Sequence, residues 1–419
     1  MKKMLILLTP IILFSQSFMI SNIPLPKTYI QNLDPYECNE ECLQAYLDKD
    51  MIFSFLAHSD KKTTNSKQND LRVMYLSILN LGSTNSIKKI KLALLLPYKK
   101  IGRYASSTTN ATFAYLMTKG NTFMLKSYKI KTENEDELKS TLKMIKDDGF
   151  NYIIAPLTLQ GAQNIMKINP SLNIYFPTIN KKDINTSSSN LYFGAIDYEA
   201  QSNLLLKTAV SPLIIFSDKS QTGQKLANFQ KETFFNTPIN EESIRTIYSD
   251  NENDEKKVIN YYISKRTTNL ERYLKNNTKI TNGSFFINTP IIKSGMVMSQ
   301  LTLYDTNATN ILSTQINYNP LLLSMTQYID RKNMIVANSI TKQNNILIET
   351  NSILGNDIVY DWINYTTTVG VDYFYTKITL EPRTYDINLK NNQMIYDIEL
   401  LKPARYRFKK VQELNLLYL

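Results

Sequence analysis

From Ile90 onward the chain alternates short apolar runs with segments of helical spacing, and this alternation constrains the fold more than any other feature. The run 90–96, IKLALLL, is apolar at nearly every position, as a strand covered on both faces must be. Residues 104–119 follow at helical spacing, with Ala105, Phe113, Leu116 and Met117 available to an inner face, and 122–130 (TFMLKSYKI) alternate as a half-buried strand does. Asn134 and Glu137 have capping-box spacing, Leu138, Leu142 and Ile145 form one stripe, and Gly149 ends that helix. NYIIAP, LNIYF and LYFGAI continue as strands, with TLQGAQNIMKIN between the first two as helix, and a helix runs from Asp197 to Ala209. After Pro212 the cycle repeats: LIIFSD, helix 220–235, a strand near 244–248, a helix near 255–274, SFFINT, helix 290–303, strand 310–315 and a last strand, MIVANSI. Strands separated by single helices form parallel sheets with crossover helices, and two such series joined near residue 210 predict an α/β chain of two lobes.

The flanks differ in character. Residues 1–17 (MKKMLILLTPIILFSQS) have two lysines, an apolar run and small residues at cleavage spacing, which predicts a cleaved secretory signal peptide; the run is too short for a stable membrane span. Residues 18–87 are expected to form a small helical N-terminal appendage, 88–210 the first lobe, 211–340 the second, and 341–419 a return segment. The return segment holds the helix with Trp362, then alternating stretches (TKITL, TYDINL, MIYDIEL, ARYRFKKV) expected as antiparallel strands or a β-rich flap completing one lobe. Export predicts a periplasmic protein and makes nucleic acid an improbable partner. It also explains Cys38 and Cys42, the only cysteines, as a disulfide staple. Redox chemistry is the alternative, against which the pair is one residue too widely spaced for C-x-x-C; metal binding would need more than His58, the single histidine. The formal charge of +11, or +9 without Lys2 and Lys3, is either a Lys- and Asn-rich bias or an attraction for anionic envelope material.

Enzyme signatures are absent from the sequence: no G-x-S-x-G, G-x-G-x-x-G, P-loop or H-E-x-x-H. No catalytic residue, cofactor or metal is expected. DINTS (183–187) and DTNAT (305–309) place an acid two residues before Asn-x-Ser/Thr, resembling the extended acceptor of bacterial N-glycosylation, so Asn185 and Asn307 are candidate modification sites.

KIKLALLLPYKKIGRYASSTTNATFAYLM, GFNYIIAPLTLQGAQNI, IYFPTIN, NLYFGAIDYEAQSNLLL and PLIIFSDKSQTGQKLANFQKETF together resemble, in order and spacing, the type I periplasmic binding protein fold. Within it the sequence is most similar to the penicillin-binding protein activator branch of outer-membrane lipoproteins. The match lies in Pro97 with Gly102, Ala155-Pro156-Leu157, Phe176-Pro177-Thr178-Ile179-Asn180, Phe193-Gly194 leading to Asp197-Tyr198-Glu199-Ala200, and the closing YDWINYTTTVGVDYF with its strands. It covers roughly 90–410; no lipobox cysteine follows the signal, and the segment before residue 90 is shorter than that branch's helical-repeat domain.

In open α/β sheets ligands bind beyond the carboxyl ends of strands, here a crevice between lobes. The candidate ligand-binding residues are therefore Tyr98, Arg103 and Tyr104 after the first strand, Leu157 and Thr158 after NYIIAP, Thr178 and Asn180 after LNIYF, and Asp218, Thr289 and Asn338 in the second lobe. Arg103 suits a carboxylate, the tyrosines an apolar group, and Thr158 has an alternative role as a helix N-cap. The resemblance implies a non-enzymatic ligand-binding or protein-interaction module of the cell envelope, linked to peptidoglycan synthesis, with a small-molecule ligand or an envelope protein as partner. The alternative is the substrate-binding protein of an ABC-type uptake system for amino acids or similar solutes.

Overall fold

The computed structural model describes residues 30, 36–59, 65–78, 89–184, 186, 188–236 and 256–411. The expected signal segment 1–17, the expected strand near 244–248 and Asn185 lie outside the described residues.

The first sheet is built on β1 (Ile90–Leu96), buried at every position but Lys91. Beside it lie β2 (Phe123–Lys129), β3 (Tyr152–Ile154), β4 (Asn173–Phe176) and β5 (Leu191–Phe193), all parallel, in the spatial order 2-1-3-4-5. β2 is the edge strand, which is why its residues alternate in exposure while those of β1 do not. Leu92, Leu94 and Leu96 face a layer that includes the helix Trp362–Thr379; Ala93 and Leu95 face the helix Glu135–Asp147. That helix starts as expected, with the Asn134 side chain accepting from the Glu137 N–H, but the Glu137 carboxylate accepts instead from the N–H groups of Lys131 and Thr132.

The second sheet repeats the pattern with β6 (Leu213–Ser217), β7 (Val258–Tyr262), β8 (Ser284–Asn288), β9 (Asn310–Ser313) and β10 (Met334–Asn338), in the order 7-6-8-9-10. Ile214 and Phe216 pack on the helix Ile291–Leu303, and Leu213 and Ile215 on helices from the opposite layer.

Four expectations need correction, the first being TKITL (376–380), which is no strand but the last turn of the helix Trp362–Thr379 and its cap Leu380. The helix Tyr198–Leu206, expected to close the first lobe, packs on the second sheet, because Leu205 and Leu206 enter the layer formed by Leu213, Ile215 and Ile335; the chain thus crosses between lobes just after β5. The helix expected near 255–274 is instead β7 followed by the short helix Glu271–Leu274, since the β-branched and aromatic run VINYY suits a pleated edge strand. The C-terminal strands complete both lobes. β11 (Asn388–Lys390) and β12 (Gln393–Ile395) extend the first sheet beyond β5, whereas β13 (Glu399–Pro403) and β14 (Phe408–Lys410) extend the second beyond β10. The chain therefore passes between lobes three times: after β5, after β10 and between β12 and β13.

Before Lys89 stand the helices Glu40–Asp48, Ile52–His58 and Ser66–Ile78, sharing a small core of Leu43, Phe55, Leu56 and Leu76. Cys38 and Cys42 form a disulfide across the start of the first helix.

Candidate interlobe site

The loop after β1 carries three candidates on the rim of the first lobe. Tyr98 opens the short helix Tyr98–Ile101 and is exposed. Gly102, at φ +54°, turns the chain in a conformation that side chains resist. Arg103 is exposed beyond that turn, its guanidinium 5.8 Å from the centroid of Tyr104. Tyr104 begins the helix Tyr104–Met117 and meets Trp362 edge-on at 5.7 Å.

The candidates after β3 and β4 are engaged inside the first lobe. Leu157 is buried. Thr158 caps the helix Leu159–Ile168, and its backbone N–H donates to Glu133 Oε1 at 2.8 Å while its hydroxyl donates to Glu133 Oε2. Glu133 is itself buried, so an internal carboxylate already occupies the amino-terminal end of this helix, where the dipole favours negative charge. Gly161 is what admits it: a Cβ there would lie 2.6 Å from the Glu133 carboxyl carbon. The Thr178 hydroxyl donates to the Leu157 carbonyl at 2.6 Å, and Asn180 donates to Ala195 while accepting from the Lys182 N–H.

The second-lobe candidates are similarly engaged. Asp218 accepts from the Ser220 N–H, and buried Thr289 shares a 2.8 Å hydroxyl bond with Ser294. Asn338 accepts from Gln315 Nε2 at 2.9 Å, Gln315 accepts from the Ser339 N–H, and Gln201 donates to Ser339 Oγ. This buried network joins β10 to the helix Tyr198–Leu206. Asn307 is exposed in the turn before β9, its side-chain amide donating to Asn282 Oδ1 at 2.5 Å.

The structure thus joins Leu157, Thr158 and Thr178 in one first-lobe cluster and leaves Tyr98, Arg103 and Tyr104 on the rim. What faces that rim was missed by sequence reasoning. Tyr198, at the start of the second lobe's first helix, lies near Tyr104 and Asp361; burial pushes its phenol up, and the neighbouring Tyr104 and Asp361 add to the shift. Asp361 caps the helix Trp362–Thr379 by accepting from the Ile363 N–H at 3.1 Å. Burial raises its carboxyl above the ordinary carboxylate value, against the pull of that N–H and of Arg103. One residue earlier, Tyr360 packs on Tyr318 at 5.0 Å, and Tyr318 on Phe408 at 4.9 Å. The segment holding Tyr360 is fastened to the first lobe by Asn110 donating to the Leu354 carbonyl and Asn356 to that of Ser107. Tyr318 and Phe408 belong to the second lobe, so an aromatic seam joins the two. The only signals in sequence were Trp362 as the sole tryptophan and Asp361 as a capping residue before it.

Two seven-stranded sheets, each with a parallel five-stranded core and linked by three crossings, make a two-lobed α/β fold like that of periplasmic ligand-binding proteins of known structure. Among solved structures, the chain is similar to the leucine binding protein LivK of Thermotoga maritima (12% identity, TM-score 0.52, covering 77% of this chain and 98% of that one). It is similar also to the substrate binding protein LivJ of Streptococcus pneumoniae, solved with isoleucine (9%, 0.54, 77% and 99%), and to LpoA of Haemophilus influenzae (10%, 0.50, 90% and 72%). No family model matches the sequence, and no curated protein does. Among the described residues, no helix is long and apolar enough to cross a membrane.

Proposed function

We propose that the chain is a non-enzymatic, periplasmic binding module of the bacterial envelope, whose interlobe rim receives a protein or peptide partner. The observation that carries this reading is the engagement of the strand-end donors. Thr158, Thr178, Asn180, Thr289 and Asn338, the groups a free amino acid would need, are bonded to the chain's own atoms. A small-solute pocket keeps a few convergent polar groups available. Here the available groups lie at the rim: exposed Tyr98 and Arg103, with Tyr104 and Trp362 behind them, a composition suited to protein interfaces. The extent of the structural match favours the same side. The LivK and LivJ matches each cover 77% of the chain, whereas the LpoA match spans 90% of its 419 residues and so takes in residues before Lys89. By the sequence resemblance, the partner is a component of the peptidoglycan-synthesis machinery.

The test is direct titration of the purified chain. Binding to the periplasmic domain of a peptidoglycan synthase, weakened at least tenfold by Arg103→Glu with Tyr98→Ala, is the expected result. A saturating rise in melting temperature with leucine, isoleucine or valine, alongside no binding to the synthase, would replace this reading with solute uptake.

A further inference from the structure

A cavity of about 410 Å³ lies at the three crossings; it takes in Asn180 of the candidate residues but not Tyr98, Arg103 or Tyr104 of the rim. Asp197 contributes to it from the first crossing, Ser339 from the second, and Tyr396 with Ile398 from the third. The β4–β5 connection and the β11–β12 hairpin form its first-lobe side, and Ala200 its second-lobe side. Its size falls within the range of small-ligand sites, roughly 300–1,000 Å³.

Its lining is amphipathic. Ile184, Met394, Ile395 and Ile398 supply apolar wall. Lys181, Lys182 and Lys390 supply three cations against the single carboxylate of Asp197, with which Lys182 pairs. Lys182 uses one donor on Asp197 and Lys181 one on the Asn391 carbonyl at 2.7 Å; an ammonium has three donors, so both keep capacity for an anion beside Lys390. The two nearby acids, Asp183 and Glu199, are both held by Lys225, at 2.6 and 3.0 Å. The first of these bonds runs from the second lobe's helix Gln221–Asn236 to the first lobe's turn Lys181–Asp183. The cavity's shape and this adjacent ion pair therefore both depend on the angle between lobes.

We propose that this cavity is an effector site for a small amphipathic anion, one acidic head on an apolar body, and that occupancy sets the interlobe angle. The head group meets Lys182 and Lys390, and the body lies along Ile184, Met394 and Ile398. Since the walls come from both lobes, such a ligand binds one angle better than another, which is the requirement for shifting the population. The inference does not depend on what the rim binds.

Decanoate, below its micellar range, and N-acetyl-leucyl-leucine stand for the acyl and peptide sources of this chemistry, with decanol as the uncharged control. Calorimetry on the full chain should give saturable one-to-one binding of one anion, naming the source, with decanol at least tenfold weaker. The double variant Lys182→Ala, Lys390→Ala, on exposed side chains, should weaken binding at least tenfold, and so should the filling variant Ala200→Phe. Small-angle scattering should report a different radius of gyration for the saturated protein. The proposal is overturned if neither anion binds saturably, if decanol binds as tightly, if the lysine variant binds unchanged, or if the scattering profile does not move.

Discussion

Replacing Glu133 with alanine should cost the first lobe about 3 kcal/mol. The buried carboxylate accepts from the Thr158 N–H and hydroxyl at the start of the helix Leu159–Ile168. Hydrogen bonds to a charged group contribute roughly 1.5–3 kcal/mol each, and an anion at a helix amino-terminus about 0.3–2 kcal/mol more. Alanine removes all of this and leaves two donors that entering water satisfies in part, so the lower end of the sum is expected. Urea unfolding followed by the fluorescence of Trp362, the sole tryptophan, which sits on a first-lobe helix, measures it. Two companion results belong to the same reasoning. Acetate at high concentration should restore part of the loss in Glu133→Ala and do nothing for the parent chain, because the vacated helix end regains an anion. Gly161→Ala should also destabilise, although alanine favours a helix interior by about 1 kcal/mol, because its Cβ would displace the Glu133 carboxylate. A loss below about 1 kcal/mol in Glu133→Ala, or a Gly161→Ala protein more stable than the parent, would refute the assignment of this carboxylate as an internal occupant of the helix end.

Other perturbations separate the remaining claims. Tyr175 passes between two glycines, its ring 2.1 Å from where a Gly370 Cβ would stand and its hydroxyl donating to the Thr366 carbonyl, so Gly370→Ala should destabilise by about 1–3 kcal/mol and be partly relieved by Tyr175→Leu, as read from urea midpoints. A double-mutant cycle of Tyr318→Ala and Tyr360→Ala should give a coupling of about 0.5–1.5 kcal/mol, whereas a value near zero would mean that the seam does not hold the lobes together. Asp361 has its carboxyl raised by burial, so the folded chain holds that proton more tightly than the unfolded one, and stability falls as pH rises from the ordinary carboxylate value through the raised one. Asn keeps the cap but not the charge, so Asp361→Asn should equal or exceed the parent in stability at pH 7 and lose that advantage below about pH 4; the opposite order in melting temperature would show that the Arg103 attraction dominates.

The layer architecture was legible because burial on both faces leaves an unmistakable trace. IKLALLL, LIIFSD and SFFINT can only be interior strands, and one helix between each pair dictates parallel pairing. Legibility failed where that trace weakens. β7 is an edge strand whose run is half-exposed, so its pattern does not separate strand from helix. β11 and β12 have three residues each, too few for a period, and nothing in their composition says which lobe they join. Register and destination there are decided by long-range bonds, such as the Lys181 N–H donating to Gln393 Oε1 across 212 residues.

The candidate site failed differently, and the reason is physical. A pattern identifies which residues stand at strand ends; it does not say whether their donors have partners, because the partners come from elsewhere in the chain. Thr158 and Asn338 are where a ligand's hydrogen bonds would be sought, yet Glu133 and Gln315 already meet them. A buried donor is almost always paired, so a polar residue at a binding-fold loop is informative only once its partner is known. The same logic assigns weight to the residues that remain unengaged. Among the described residues, Arg103 and Tyr98 are exposed at the rim and Lys390 lines the cavity by the crossings, so the proposed partner surface and the proposed effector cavity use different side chains and can be tested separately.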